Sequence, residues 1–285
     1  MASSATQQTQ YNSIGAEYDA IKSLPIIRDV ETPNFRKYAR EFLGASGRVR
    51  VLDLACGTGF YSHMLLEMGA GSVTGVDVSP AMIEVARSKA RKSGLDASGR
   101  LKYLVGDAMR LGVVDGGEYD MVTGVWLLNY ASSREELARM FRGISANLKP
   151  GGIFYGVCEE YQEDLDAFVS ERNLSFHGNR KLFGLETEYT TRLPSGDGYV
   201  MVTRAHVDPP HKPFTMKTYH LRGGVIMEAA RAGGLGGFIE MKKMTVPEEI
   251  YQQEKDYWAL YNEFTPKFSL IFIAKEHTDS TRPVE

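Results

Sequence analysis

Val51-Leu52-Asp53-Leu54-Ala55-Cys56-Gly57-Thr58-Gly59 is an apolar run that closes on a glycine turn, and a helical pattern opens directly behind it. About 20 residues beyond the turn, Asp77 ends a second β-branched run. A strand, a tight turn, a helix start and a distant carboxylate form the nucleoside-binding device of doubly wound sheets.

From this point the pattern extends both ways. Short β-branched runs at Val49 to Asp53, Ser72 to Asp77, Leu101 to Val105, Tyr119 to Gly124 and Ile153 to Cys158 read as strands. They alternate with amphipathic stretches, Thr58 to Met68, Pro80 to Lys92 and Arg134 to Leu148, as in a parallel sheet wrapped by helices. Upstream, Tyr11 to Lys22 and Asn34 to Leu43 read as helices, broken from one another by Pro25 and Pro33. Downstream, Glu186 to Arg192 and Tyr199 to Val207 flank Pro194-Ser195-Gly196-Asp197-Gly198, a hairpin signal. A glycine-flanked helix near Val225 to Ala232 precedes two last strand-like runs, Phe238 to Val246 and Ser269 to Lys275, expected as an antiparallel addition to the sheet.

The fold expected is therefore α/β: a Rossmann-like doubly wound sheet with an antiparallel terminal strand pair, an N-terminal helical lid and a β-rich insertion after the fifth strand. The expected organisation is a disordered segment over 1–10, the lid over 11–47, the nucleoside-binding core over 48–160, a substrate-side insertion over 161–222, and the rest of the core over 223–285.

The turn itself discriminates among ligands. A dinucleotide fingerprint wants glycine at positions 55, 57 and 60, so that backbone amides can approach a pyrophosphate. This chain has Ala55, Gly57 and Phe60. Asp53, aimed at the turn, repels a diphosphate and suits a ligand carrying an ammonium and a sulfonium. A nicotinamide-dependent oxidoreductase on a similar sheet is the enzyme alternative disfavoured on these grounds.

Three ordered stretches, DLACGTG, VTGVDVSPAMIEVAR and LVGDAMRL, resemble the consecutive cofactor motifs of class I S-adenosylmethionine (SAM)-dependent methyltransferases, particularly the ubiquinone-biosynthesis type. The resemblance covers Tyr11 to Glu160 closely and the last strands loosely. It implies SAM as cofactor and S-adenosylhomocysteine as product. Gly57 and Gly59, with Ala55 in place of a frequent glycine and Asp53 nearby, would approach the methionine portion. Asp77 would take the ribose hydroxyls, Val78 and Met82 would flank the adenine, and Asp107 beside Ala108 would take its amino group. The backbone of Val125 would meet the methionine amine, and Tyr18 in YNSIGAEYD would close over that end.

The acceptor is less legible. Val125 to Tyr130 lacks the Asp or Asn, paired prolines and aromatic of nucleic-acid amino methyltransferases. Tyr11, Trp126, Tyr130 and Phe183 are candidate walls of an apolar substrate pocket, with His211 beside them. No residue is singled out as catalytic, although His177, His206, His211 and His220 in the insertion could include a base. The chain also looks like methyltransferases of microbial secondary metabolism, including the toxoflavin type and fungal enzymes acting on both thiols of reduced epidithiodioxopiperazines such as gliotoxin. A secondary-metabolite thiol is the expected acceptor. An N- or O-methyltransferase of another metabolite is the alternative within the class, and a SAM-binding sensor or scaffold the one outside catalysis.

A net charge of -3 and a pI near 6.1 supply no basic field for nucleic acid. Cys56 and Cys158 in 285 residues read as free thiols of a reducing compartment. MASSATQQTQ lacks a secretory pattern, and no apolar run approaches a membrane span, so the expectation is a cytoplasmic enzyme without metal or membrane partner.

Overall fold

The computed structural model describes residues 10–162, 164–175, 183–264 and 268–276. The segment expected to be disordered lies outside these residues, apart from Gln10, which is helical.

The frame is a seven-stranded sheet in the order β3-β2-β1-β4-β5-β10-β9. Five of its strands, β1 (Arg50–Leu54), β2 (Ser72–Asp77), β3 (Leu101–Val105), β4 (Tyr119–Val125) and β5 (Leu148–Glu159), are all parallel. Val51 and Leu52 in β1 are fully buried, because helices cover both faces and neither can be polar. β9 (Ile239–Lys243) is the far edge, and β10 (Phe268–Ala274) lies antiparallel between it and β5. The terminal pair is thus as expected, with β10 alone running against the rest.

After β3 the chain returns to the other side of β1, which leaves a crevice at the carboxyl ends of β1 and β4. The glycine turn and the Val125–Trp126 corner both fall there. Helices α1 (Thr32–Leu43), α2 (Phe60–Glu67), α3 (Pro80–Lys92) and α4 (Arg134–Asn147) pack on the sheet. Ser79 and Ser133 start α3 and α4 by accepting from the amides of Met82 and Glu136. Gly59 precedes α2 at φ +83, and a Cβ there would sit 2.2 Å from the Tyr103 hydroxyl, so only glycine allows this approach.

The N-terminal region differs from expectation. Residues 10–14 are helical and continue into a 3-10 helix, Gly15–Ser23, then a wide π-type turn, Ile26–Glu31, that runs straight into α1. Pro25 and Pro33 do not break this path. Each sits at or just inside the start of a helical segment, where its missing N–H has no partner to lose.

After α5 (Leu165–Ser175), the insertion forms a separate antiparallel sheet, β6 (Leu185–Arg192), β7 (Gly198–Ala205) and β8 (Phe214–Leu221). The hairpin at 194–198 is where the sequence places it, and β8 is an addition. Its inward face carries Met216, Thr218 and His220, too polar to show the alternation of a half-buried strand. Helix α6 (Gly223–Ala232) follows, and the stretch before β10 folds into the short helices α7 (Glu248–Tyr251) and α8 (Lys255–Phe264).

Candidate active site

The crevice holds a cavity of about 890 Å³, open to solvent. The turn after β1 builds its floor. Ala55 and Gly57 both take left-handed φ, +54 and +53, so Ala55 carries strain that glycine would not. A Cβ on Gly57 would come within 3.8 Å of the Tyr18 ring. At the end of β4 Trp126 is also left-handed, at φ +59. Two strained non-glycine residues at adjacent strand ends mark a site held in place by its surroundings.

Asp77 ties the two turns together. One carboxylate oxygen accepts from the amide of Gly57 at 2.9 Å and the other from that of Ser79 at 2.8 Å. Burial pushes its carboxyl up, and these two amides pull it back. Val78, Met82, Asp107 and Ala108 continue the wall past Asp77, with Asp107 also capping Met109 at 2.9 Å.

Asp53 behaves differently from expectation. It lines the cavity, yet its two oxygens accept from Ser62 at 2.6 Å and Thr123 at 2.8 Å. The carboxylate therefore holds α2 and β4 against β1. Burial pushes it up to about 6. An acid raised on folding stabilises the protein below its unfolded value, and that contribution is lost as pH rises through the folded one. Asp53→Asn should accordingly flatten the fall in unfolding free energy between about pH 4 and pH 6. Denaturant melts across that range check this, and an unchanged slope would remove Asp53 as its source.

The N-terminal segment is stitched over the crevice at each strand end. Asn12 accepts from Ser79 at 2.7 Å beyond β2, and Asp19 from Thr58 at 2.5 Å in the glycine turn. The hydroxyls of Tyr11 and Tyr130 meet beyond β4. Glu31, with no exposed surface, accepts from the Trp126 indole N–H at 2.7 Å and from the Tyr61 hydroxyl. Burial raises its carboxyl. Sequence reading missed Glu31, whose partners lie 30 and 95 residues away.

Tyr11, Tyr18, Trp126 and Tyr130 form a shared wall with a second chamber of about 510 Å³. Its far side is β6 to β8 and β10, through Leu185, Thr187, Thr203, Met216, Thr218 and Phe268. Apolar surfaces with a few hydrogen-bonding groups suit a small organic ligand. Burial pushes the Tyr18 and Tyr130 hydroxyls up, so both stay protonated near neutral pH.

Of the residues singled out from sequence, Tyr11, Tyr18, Asp53, Ala55, Gly57, Asp77 and Val78 line the larger cavity. So do Met82, Asp107, Ala108, Val125, Trp126 and Tyr130. Gly59 lies beneath the turn, where it admits Tyr103. Phe183 and His211 line neither chamber. Phe183 is a core residue, stacked on Trp258 with centroids 5.8 Å apart. His211 is on the surface, paired with Glu17 at 2.8 Å. His206 pairs with Glu186, and His220 with the Tyr189 hydroxyl, both outside the shared wall. His177 lies outside the described residues. Among the described residues no cluster of three metal-ligating side chains occurs, and no helix is long and apolar enough to cross a membrane.

The larger cavity combines carboxylate acceptors, apolar surface and aromatic rings. Asp77 and Asp107 offer carboxylate acceptors at one part, Met82 and Val78 apolar surface beside them, and aromatic rings with a lysine, Lys22, lie at the glycine-turn end. Residues 51–152, from β1 into β5, match a family described as methyltransferase domain. The demethylmenaquinone methyltransferase of Symbiobacterium thermophilum is 30% identical over 198 residues, covering 67% of this chain and 68% of that protein. That of Lactococcus lactis subsp. lactis is 33% identical over 148 residues, 51% of this chain, and the match spans little more than half, 55%, of the relative's length. A SAM-dependent methyltransferase of Mesorhizobium loti shares the fold at 17% identity and a TM-score of 0.55, covering 90% of this chain and 100% of that one.

Proposed function

The chain belongs to the SAM-dependent methyltransferases, and from that premise we propose that it methylates a compact small molecule held in the second chamber, with a thiol as preferred nucleophile. The observation that carries this reading is the aromatic wall common to the two chambers, which sets a donor space and an acceptor space side by side. When bound, the cofactor supplies a methyl group on a sulfonium; the acceptor's sulfur takes the methyl, and S-adenosylhomocysteine and a proton leave.

The protein's part is alignment and exclusion of water. Asp77 and Asp107 would hold the nucleoside, while the Gly57 turn and the Val125 corner face the amino-acid end. Glu31 fixes the Trp126 indole, and the Tyr11–Tyr130 contact closes the lid over the wall. The acceptor chamber is neutral apart from Glu159. A thiol of ordinary pKa, about 8.5, is already partly ionised at neutral pH, whereas an alcohol or ammonium needs a base. This favours a thiol as nucleophile, and a secondary-metabolite thiol is the acceptor proposed, with the two thiols of a reduced epidithiodioxopiperazine as the case suggested by the sequence resemblance alone. The second reading, methylation of a quinol-type acceptor, is favoured by the names of the relatives.

Methyl-labelled SAM offered with a reduced dithiol, a short-chain quinol and an arylamine separates the two. Labelled thioether is expected, and Glu159→Gln, at the one charged group among the described residues of the acceptor chamber, should retain turnover to within about tenfold, as should His206→Ala and His220→Ala, short of the roughly 100-fold loss on removing a base. Label in the quinol alone, or a Glu159 or histidine variant losing that larger factor with a shifted pH profile, would overturn the thiol reading.

A further inference from the structure

Asn129 stands in the 3-10 turn Leu128–Tyr130, just past Trp126, and lines the second chamber. It is 8% exposed, and its side-chain carbonyl oxygen has no hydrogen-bond partner among the described residues. Its neighbours do not supply one. Glu159, on the same chamber, is a carboxylate and only accepts. His220 lies behind Asn129 on β8, which packs against this turn. Both of its ring nitrogens are engaged, one by the Tyr189 hydroxyl and one by the Glu160 carbonyl.

The insertion sheet brings further neutral polar groups to the chamber. Thr187 on β6 and Thr203 on β7 are paired in register, their hydroxyls 3.1 Å apart. Met216 is the partner of Thr203 on β8, so Thr218, two residues on, shares their face. All three threonines line the chamber, whose other walls include Ile21, Ile27, Leu185 and Phe268. Two hydroxyls joined by one hydrogen bond keep one proton to donate elsewhere. A buried amide oxygen without a donor destabilises a fold, and such breaches of satisfaction concentrate where a ligand completes them.

We propose that Asn129 binds a neutral polar group of the acceptor, a hydroxyl or an amide N–H, that stands apart from the atom taking the methyl. The threonine hydroxyls serve the same part of the molecule. The Asn129 amide both donates and accepts, as hydroxyls and amides do, whereas a purely hydrocarbon acceptor would leave its oxygen unpaired. This assignment rests on the reading of the second chamber as the acceptor's, and it makes Asn129 a specificity residue there.

The test uses dithiothreitol and 1,4-butanedithiol, which share a four-carbon dithiol skeleton and differ in the two inner hydroxyls, with methyl-labelled SAM. The ratio of their kcat/KM values, dithiothreitol over butanedithiol, should fall about tenfold from wild type to Asn129→Leu. Comparing the ratio between proteins cancels the intrinsic difference between the thiols. Asn129→Leu should also raise the melting temperature by about 2–4 °C, because an unpaired buried polar group is removed at similar volume. S-adenosylhomocysteine should bind the variant within about twofold of wild type. Asn129→Ala reads the same ratio should the larger side chain unsettle the turn. An unchanged ratio, or a melting temperature lowered by several degrees, would overturn the assignment alone, the second by showing that the amide serves the fold. Methylation of a short-chain quinol and of neither dithiol would overturn the thiol reading and this assignment with it.

Discussion

Asp77→Ala should reduce affinity for S-adenosylhomocysteine by about 100-fold or more, because two charge-assisted bonds of roughly 1.5–3 kcal/mol each are removed together. The carboxylate already serves the protein through the amides of Gly57 and Ser79, which orient it at the end of β2. Its position is therefore set before a ligand arrives, and little is lost in ordering it. Removing it also leaves two backbone N–H groups without their partner, so the glycine turn should loosen. Asp77→Asn keeps an acceptor for one of them and should fall between wild type and Ala. Calorimetry beside far-ultraviolet circular dichroism checks this. A folded Asp77→Ala protein with wild-type affinity would take Asp77 out of the ligand site.

The second large effect is expected at Glu31. Glu31→Ala strands the Tyr61 hydroxyl in a buried place and the Trp126 indole N–H in a partly buried one, and opens a void where Glu31 has no exposed surface, together costing about 2–4 kcal/mol. For a chain of this size that lowers the melting temperature by roughly 5–15 °C. Turnover should fall further than stability alone explains, since Trp126 is strained at φ +59 and its indole is held in the wall between the chambers by this bond. Glu31→Gln keeps an acceptor and should recover much of both. A Glu31→Ala protein that melts and turns over like wild type would show that the indole is positioned by something else.

The sheet was legible because its strands alternate with amphipathic helices at regular spacing, and its switch point is marked by a glycine turn and a carboxylate on the next strand. What escaped reading depends on distant partners or polar interiors. Glu31 acquires meaning only when Tyr61 and Trp126 are brought to it by the fold. Strand β8 buries Thr218 and His220, so its pattern is not that of an apolar face. Phe183 reads as a pocket wall on its aromatic side chain alone, yet α8 supplies Trp258 and Tyr261 to bury it. Ala55 stands where the family pattern often has glycine, and its left-handed φ of +54 is the reason that glycine is favoured there.

The most direct measurement is a calorimetric titration of the unmodified protein with S-adenosylhomocysteine and, separately, with NAD. One-site binding of S-adenosylhomocysteine in the micromolar range, with no heat from NAD, is the expected result. Saturable binding of NAD without binding of S-adenosylhomocysteine would contradict the assignment of the crevice.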